Sequence, residues 1–257
     1  MKLSLTTIEG IPLIEPGDNL VEIMIECIHQ SNEHILDKDI LIIAQKIISK
    51  TENRYVDLCS VTASKEAVEL AKDVDKDPRY VELVLRESRE VIRKKPGVLI
   101  VEHRLGFIHA NAGIDQSNIE HKIGNERVLL LPEDPDSSAE KIRRELKKRF
   151  GIDVGVIIND SVGRAWRNGT MGLAIGIAGM AALDDRTGSH DIFGRELKVT
   201  SAAIADELAA AASLIMGQTT ERTPVVLARG FHPAPIKKNS QTGITPLIRE
   251  KEMDLFR

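Results

Sequence analysis

Two short stretches of this chain carry residue types suited to chemistry, and both follow an apolar run. The first is "HANAGIDQSN", His109 to Asn118, whose one carboxylate is Asp115. The second is "INDSVGRAWRNGTMG", Ile158 to Gly172, which gathers Asp160, Ser161, Arg164 and Arg167. In each, an apolar strand delivers an aspartate onto a glycine-containing loop. Ligands bind at strand ends because a rigid sheet fixes geometry while the loop supplies polar groups. Two carboxylates brought together suit Mg²⁺ or Mn²⁺, which prefer oxygen ligands and leave positions for phosphate. Ser161 adds a hydroxyl, and the guanidinium groups of Arg164 and Arg167 suit a bidentate grip on phosphate or carboxylate.

Each stretch also has a plainer reading. Asp and Asn beside Gly are the vocabulary of turns. Paired arginines can decorate a surface, and the single tryptophan, Trp166, can plug a core. Alone, "NAGID" reads as a turn more readily than as a metal site. Two such loops in one chain bring the two readings level. Weaker sites accompany them. Lys46 and Lys50 flank "IIS" after a buried strand, as a solvated loop or as phosphate contacts. "MGQTTERTP", Met216 to Pro224, offers Gln218, Thr219 and Thr220 after a helix that Gly217 can stop. Asp184-Asp185-Arg186 and "HDIFGRELKV" read as hairpin chemistry, or Arg195 meets an anionic substrate.

Several chemistries are absent. There is no GxxxxGK[ST] and no GxSxG. Gly172, Gly176 and Gly179 have the wrong spacing for a dinucleotide fingerprint and suit close packing instead. The histidines at 29, 34, 103, 109, 121, 190 and 232 include no i, i+4 pair, which argues against a zinc protease. His29 and His34 are expected to face solvent. Cys27 and Cys59 form no CxxC, and Cys27 falls on an apolar stripe as a buried thiol.

Elements must position these residues. "KLSLT" alternates as a short strand, and Asp18 can cap a helix with Leu20, Ile23, Met24, Cys27 and Ile28 inward. "DILIIA" is a buried strand. Ser64 opens a helix to about Val74, and Asp77-Pro78 opens another, with Val81, Val84, Leu85, Ser88 and Ile92 inward until Pro96-Gly97. "VLIVEHRLGFIHANAG" reads as two strands about a turn at Arg104-Leu105-Gly106, and "RVLLLP" as a further strand. Ser137 and Glu140 form a capping box for a helix ending near Phe150-Gly151, with Ala139, Ile142, Leu146 and Phe150 inward. "DVGVIIND" is a strand, while "MGLAIGIAGMAAL" suits a buried strand or a close-packed helix. A long Ala-rich helix, the strand "TPVVLARGF" and a short helix at Thr245-Pro246 close the chain. Helices and strands do not alternate strictly, so an α+β fold is expected rather than a doubly wound sheet.

The 257 residues suit one large domain or two small ones. Aromatics make up only 3%, so Ile, Val, Leu and Ala must build the core. A net charge of −4 with no long basic run gives nucleic acid no electrostatic hold. No apolar run reaches membrane-span length and the N-terminus lacks a signal-peptide core, so a cytoplasmic protein without membrane partners is expected. Residues alone lead to an enzyme using a divalent metal and a phosphorylated ligand.

The segments "GIPLI", "IISKTENR", "NAGIDQSN", "LLLPEDPDSSAEKIRREL", "VGVIINDSVGRAWRNGTMGLAIGIAG", "DIFGRELKVT" and "PVVLARGF" occur in this order. Together they resemble the F-420 gamma-glutamyl ligases over roughly residues 8 to 231. The resemblance implies one ligase domain over 1–257 without a nitroreductase-like extension. It implies a family-specific fold of mixed, largely antiparallel sheets with packed helices, in an intertwined homodimer. The implied reaction adds L-glutamate through gamma-linked amides to the deazaflavin precursor coenzyme F-420-0. GTP would drive it as co-substrate, with two Mg²⁺ or Mn²⁺ per subunit and K⁺ assisting. Asp115, Asp160, Ser161 and Gln218 match the metal positions; Gln218 is an amide where some relatives carry a carboxylate. Ile11, Pro12, Leu13, Ile14, Gln45, Lys46, Lys50, Asn118, Met216, Gly217, Thr219, Thr220, Glu221, Arg222 and Thr223 match the nucleotide positions. Arg164 and Arg167 would position substrate or phosphate. The alternatives are a ligase or kinase acting on another small carboxylate, or a non-catalytic GTP-binding regulator.

Overall fold

The computed structural model describes residues 2–120, 126–233 and 242–255; His121 lies outside them. In chain order its strands and helices are β1 (Ser4–Thr7), α1 (Leu20–Gln30), β2 (Ile40–Ala44), α2 (Gln45–Thr51), β3 (Tyr55–Asp57), α3 (Lys65–Val74), α4 (Pro78–Arg86), β4 (Ser88–Lys95), β5 (Val98–His103) and β6 (Ile108–Ala110). There follow β7 (Arg127–Leu129), α5 (Pro135–Phe150), β8 (Gly155–Gly163), β9 (Thr170–Ala178), β10 (Asp184–Asp185), β11 (Ser201–Ala202), α6 (Ile204–Met216) and β12 (Val225–Arg229). The fold is α+β, as expected.

A five-stranded sheet in the order β1-β12-β2-β8-β9 forms the centre. Only β2 and β8 run parallel; the other neighbours are antiparallel. Side chains alternate across a strand, so each strand feeds two cores. Leu41, Ile43, Val156, Ile158, Val225 and Leu227 turn toward α1 and α5. Ile40, Ile42, Ile157, Val226 and Ala228 turn toward α6. Burial on both faces explains why "ILIIA" and "GVII" read as continuous apolar runs. A third cluster packs α3 and α4 against β5, with Val128 of β7 included. The sheets β4-β5-β6 and β3-β7 frame it. Among the described residues no helix is long and apolar enough to cross a membrane.

Four local readings change. The helix opened by Asp77-Pro78 stops at Arg86, and residues 88–95 form β4 instead. β4 pairs with β5, and two register breaks in that pairing blur the alternation that would have marked a strand. α5 starts three residues earlier than the Ser137–Glu140 box. Asp134 caps it, with Pro135 behind, accepting from Ser137 N at 3.0 Å. Asn19, not Asp18, caps α1 by accepting from Glu22 N at 3.2 Å. The segment after "DILIIA" is not a loop but the short helix α2. The glycine-rich stretch resolves as strand β9, whose Gly172 and Gly176 let α6 and α5 approach closely. Trp166 is 86% exposed and plugs no core.

Candidate active site

β2 and β8 are parallel neighbours whose last paired residues are Ala44 and Asn159. Their carboxyl ends therefore open on the same side, which is where ligands bind in such sheets. The chain leaving β2 places Gln45 and Lys46 there, and β8 continues into Asp160 and Ser161. Asp115 comes from the other part of the molecule. After β6, Asn111, Ala112 and Gly113 take left-handed φ values of 51°, 53° and 67°. This reverses the chain. Asp115 then exchanges two backbone hydrogen bonds with Leu129, both 2.9 Å. The turn is thus Asn111–Gly113, and Asp115 lies beyond it with its backbone N–H and carbonyl both paired to Leu129.

The three segments border one cleft of about 960 Å³. Ile11, Pro12, Leu13 and Ile14 form part of its wall, together with Gln45, Lys46, Lys50, Asp115, Asn118, Asp160 and Ser161. The loop Met216, Gly217, Gln218, Thr219, Thr220, Glu221, Arg222, Thr223 completes it. Asn118 ties that loop across the opening by donating from Nδ2 to the Thr219 carbonyl at 3.2 Å. Within the loop, Thr219 N donates to Glu221 Oε2 at 2.8 Å and Thr223 Oγ1 to the Met216 carbonyl at 2.9 Å. Arg164 and Arg167 are not among the lining residues. Arg164 is turned to the Gly169 carbonyl at 3.1 Å in the loop between β8 and β9.

Both carboxylates are held from behind. Gln45, 4% exposed, donates from Nε2 to Asp115 Oδ2 at 2.7 Å and accepts from Ser49 Oγ at 3.0 Å. Lys46 Nζ stands 3.5 Å from the same Asp115 oxygen and 3.0 Å from the Ser117 carbonyl. Burial pushes the Asp115 carboxyl up, Lys46 works against it, and the negative charge of Asp160 adds to the rise. Burial and neighbouring Lys46 push the Lys50 ammonium down. Lys50 would therefore gain from an anion in the cleft.

His109 serves Asp160 as Gln45 serves Asp115. Its Nε2 lies 3.0 Å from Asp160 Oδ2 and its Nδ1 2.8 Å from the Ala110 carbonyl. Burial works against charge on this ring, yet the Asp160 carboxylate holds its pKa above the ordinary value. Asp160 Oδ1 accepts from Ser161 N at 2.8 Å, and Ser161 Oγ donates to Gln218 Oε1 at 3.0 Å.

Among the described residues no three His, Cys, Asp or Glu gather as a cation cage. The donors that do converge are all oxygens: two carboxylates, the Ser161 hydroxyl and the Gln218 amide oxygen. That set fits Mg²⁺ or Mn²⁺, which bind through one or two carboxylates and complete their shell with water and phosphate.

Sequence reasoning missed His109, Asn159, Tyr55 and Arg127, all on the cleft wall. Arg127 stacks over the Tyr55 ring at 4.2 Å. His109 had one signal: a polar ring inside the apolar run leading into "NAGID".

Residues 10–230 match the family model described as F420-0:Gamma-glutamyl ligase. The chain is 43% identical to the coenzyme F420:L-glutamate ligase of Methanothermobacter thermautotrophicus, over 100% of both sequences. It is 48% identical to the protein of that name from Methanocaldococcus jannaschii, over 87% of this chain and 86% of the relative. It is 39% identical to the Archaeoglobus fulgidus protein of the same name, over 100% of this chain and 97% of the relative.

Proposed function

Since the chain belongs to the F420-0:gamma-glutamyl ligase family, we propose that it adds L-glutamate to coenzyme F-420-0 at the expense of GTP. The observation that carries this reading is the meeting of Asp115 and Asp160 in one large cleft beside Lys46 and Lys50. Two anionic oxygens and two ammonium groups suit a nucleotide triphosphate that arrives with its cation. The loop 216–223 and the segment 11–14 form the rest of the nucleotide site. Pro12 and Leu13 offer it apolar contact, and Leu13 is 71% exposed.

Asp115, Asp160, Ser161 and Gln218 would hold Mg²⁺ or Mn²⁺. When bound there, such a cation would supply neutralisation of phosphate charge. Gln45 and His109 keep the two carboxylates aimed into the cleft, so no reorganisation is required when phosphate binds. Lys46 and Lys50 meet the phosphate oxygens. A precursor carboxylate oxygen then attacks the γ-phosphorus, and the bond to the β-phosphate oxygen breaks with GDP leaving. The glutamate amine attacks the resulting acyl carbon. The C–O bond to phosphate breaks, inorganic phosphate departs and the amine gives up a proton. Arg164 and Arg167 would reach the precursor's anionic groups from outside the nucleotide cleft. A homodimer fits the same reading: Ile192, Phe193 and Val199, between β10 and β11, are each about 90% exposed, large apolar side chains suited to burial in an assembly.

The test is product mass after incubation with F-420-0, L-glutamate, GTP and Mn²⁺, with each omitted in turn. Mass gain by glutamate residues is expected, with repeated turnover of GTP to GDP only when all four are present. GTP turnover without glutamate incorporation would refute the ligase reading.

A further inference from the structure

We propose that His109 is a positioning residue that sets both the orientation of Asp160 and its spacing from Asp115; this rests on the reading of Asp160 as a cation ligand. His109 is 7% exposed and its ring is gripped at both ends. The Ala110 carbonyl can only accept, so Nδ1 donates to it at 2.8 Å, and Nε2 faces Asp160 Oδ2 at 3.0 Å. Phe107 packs edge-on against the ring, centroids 6.2 Å apart. Among the described residues His109 is the one side chain that hydrogen-bonds Asp160. The Ser161 amide takes the other carboxylate oxygen at 2.8 Å. With one contact on each oxygen, rotation of the carboxylate about its last bond would break both. A carboxylate offers about four lone-pair sites, so about two remain for the cleft.

The contact also joins two parts of the fold. His109 lies in β6, and Asp115 follows six residues later through the turn Asn111–Gly113. Asp160 lies in β8 of the central sheet. The His109–Asp160 bond is thus a direct strut between the segment carrying one carboxylate and the strand carrying the other. Outer partners of this kind cost 10- to 100-fold in metal affinity when lost.

Two variants divide the ring's contacts. In His109→Asn the amide nitrogen falls near the place of Nδ1, keeping Ala110 and giving up Asp160. In His109→Gln it falls near the place of Nε2, keeping Asp160 and giving up Ala110. Mn²⁺ is titrated into each protein at a fixed level of GDP, and the free ion is followed by its EPR signal. His109→Asn is expected to weaken Mn²⁺ binding about 10-fold or more, and His109→Gln by much less. Equal loss in both, no loss in either, or the reverse order overturns the proposal. A merely structural histidine would predict equal loss or none. Wild-type protein carrying ¹⁵N-histidine gives a readout without any variant: Mg²⁺ is expected to move the His109 Nε2 resonance, and an unmoved resonance also overturns it. Asp160→Asn separates the two levels. Mn²⁺ lost there but unchanged in His109→Asn leaves the cation reading standing and sinks only this one. A wild type that takes up no Mn²⁺ sinks both.

Discussion

Replacing Gly172 with alanine should loosen the site from behind without touching a ligand. Gly172 lies in β9 opposite Ser161 of β8. A Cβ there would stand 2.4 Å from the Ala209 carbonyl oxygen, 2.8 Å from its carbon and 2.5 Å from Asn159 Oδ1. Non-bonded carbon contacts relax near about 3.5 Å, so β9 and α6 must part by roughly 1 Å. Neither neighbour can yield cheaply. Ala209 is helix backbone, and the Asn159 side chain is buried with Nδ2 against Met216 Sδ at 3.6 Å. Overpacking of this kind costs about 1–3 kcal/mol, and backbone on one side places it at the upper end. Reduced freedom of the unfolded chain returns about 0.4–1 kcal/mol. A net loss of about 2 kcal/mol lowers Tm by about 4–8 °C in a chain of this size. Because α6 ends at Met216, where the loop proposed to hold nucleotide begins, GDP affinity should fall as well. Differential scanning fluorimetry and calorimetric GDP titration read the two effects. Gly163→Ala is the control, since a Cβ there meets nothing within 4 Å. A Gly172→Ala protein melting within about 1 °C of wild type, or a Gly163→Ala protein equally destabilised, would refute the close-packing argument.

Two further outcomes follow from the same geometry. Asp115→Asn or Asp160→Asn should abolish glutamate addition while far-UV circular dichroism stays native; the loss of several kcal/mol of transition-state stabilisation exceeds about 100-fold in rate, and full activity in either variant would sink the cation assignment. Glu87→Gln should destabilise the fold in a pH-dependent way. Burial alone would raise the Glu87 carboxyl, but His103, Arg104 and Arg54 hold it down to about 2 from 4.5. Arg104 Nε is the closest of these at 3.0 Å, with Arg54 at 3.4 Å and His103 at 3.7 Å. A folded-state pKa below the unfolded value stabilises above the unfolded value and is lost as pH falls toward the folded one. The deficit of Glu87→Gln, about 2 kcal/mol at pH 7 after allowance for partial exposure, should therefore shrink between 4.5 and about 2. Urea unfolding at pH 7 and again within that window measures it, and a constant deficit would contradict the ion-pair account.

Local rules sufficed wherever the stabilising partner lay within a few residues. Ser64 accepts from Ala67 N at 3.2 Å and Asp77 from Arg79 N at 2.8 Å, so both helix starts were legible. The two aspartates were legible as candidates, because an apolar run breaking into Asp and Gly is a local pattern, but Asp160 sits within β8, which runs on to Gly163, rather than on a loop. Strand β4 was not, since its charged residues become a strand only when β5 offers an edge. Likewise "MGLAIGIAG" could not choose between helix and strand until Ala209 and Pro135 backbone stood against its glycines. His109 looked like one of seven scattered histidines because its carboxylate partner, Asp160, lies 51 residues on. Residue type and spacing thus determined which two carboxylates were candidates. That Asp115 and Asp160 share one cleft was decided only by the parallel pairing of β2 with β8 and the turn that brings β6 beside them. Such contacts lie far apart along the chain, so chain entropy opposes them until the two cores are packed.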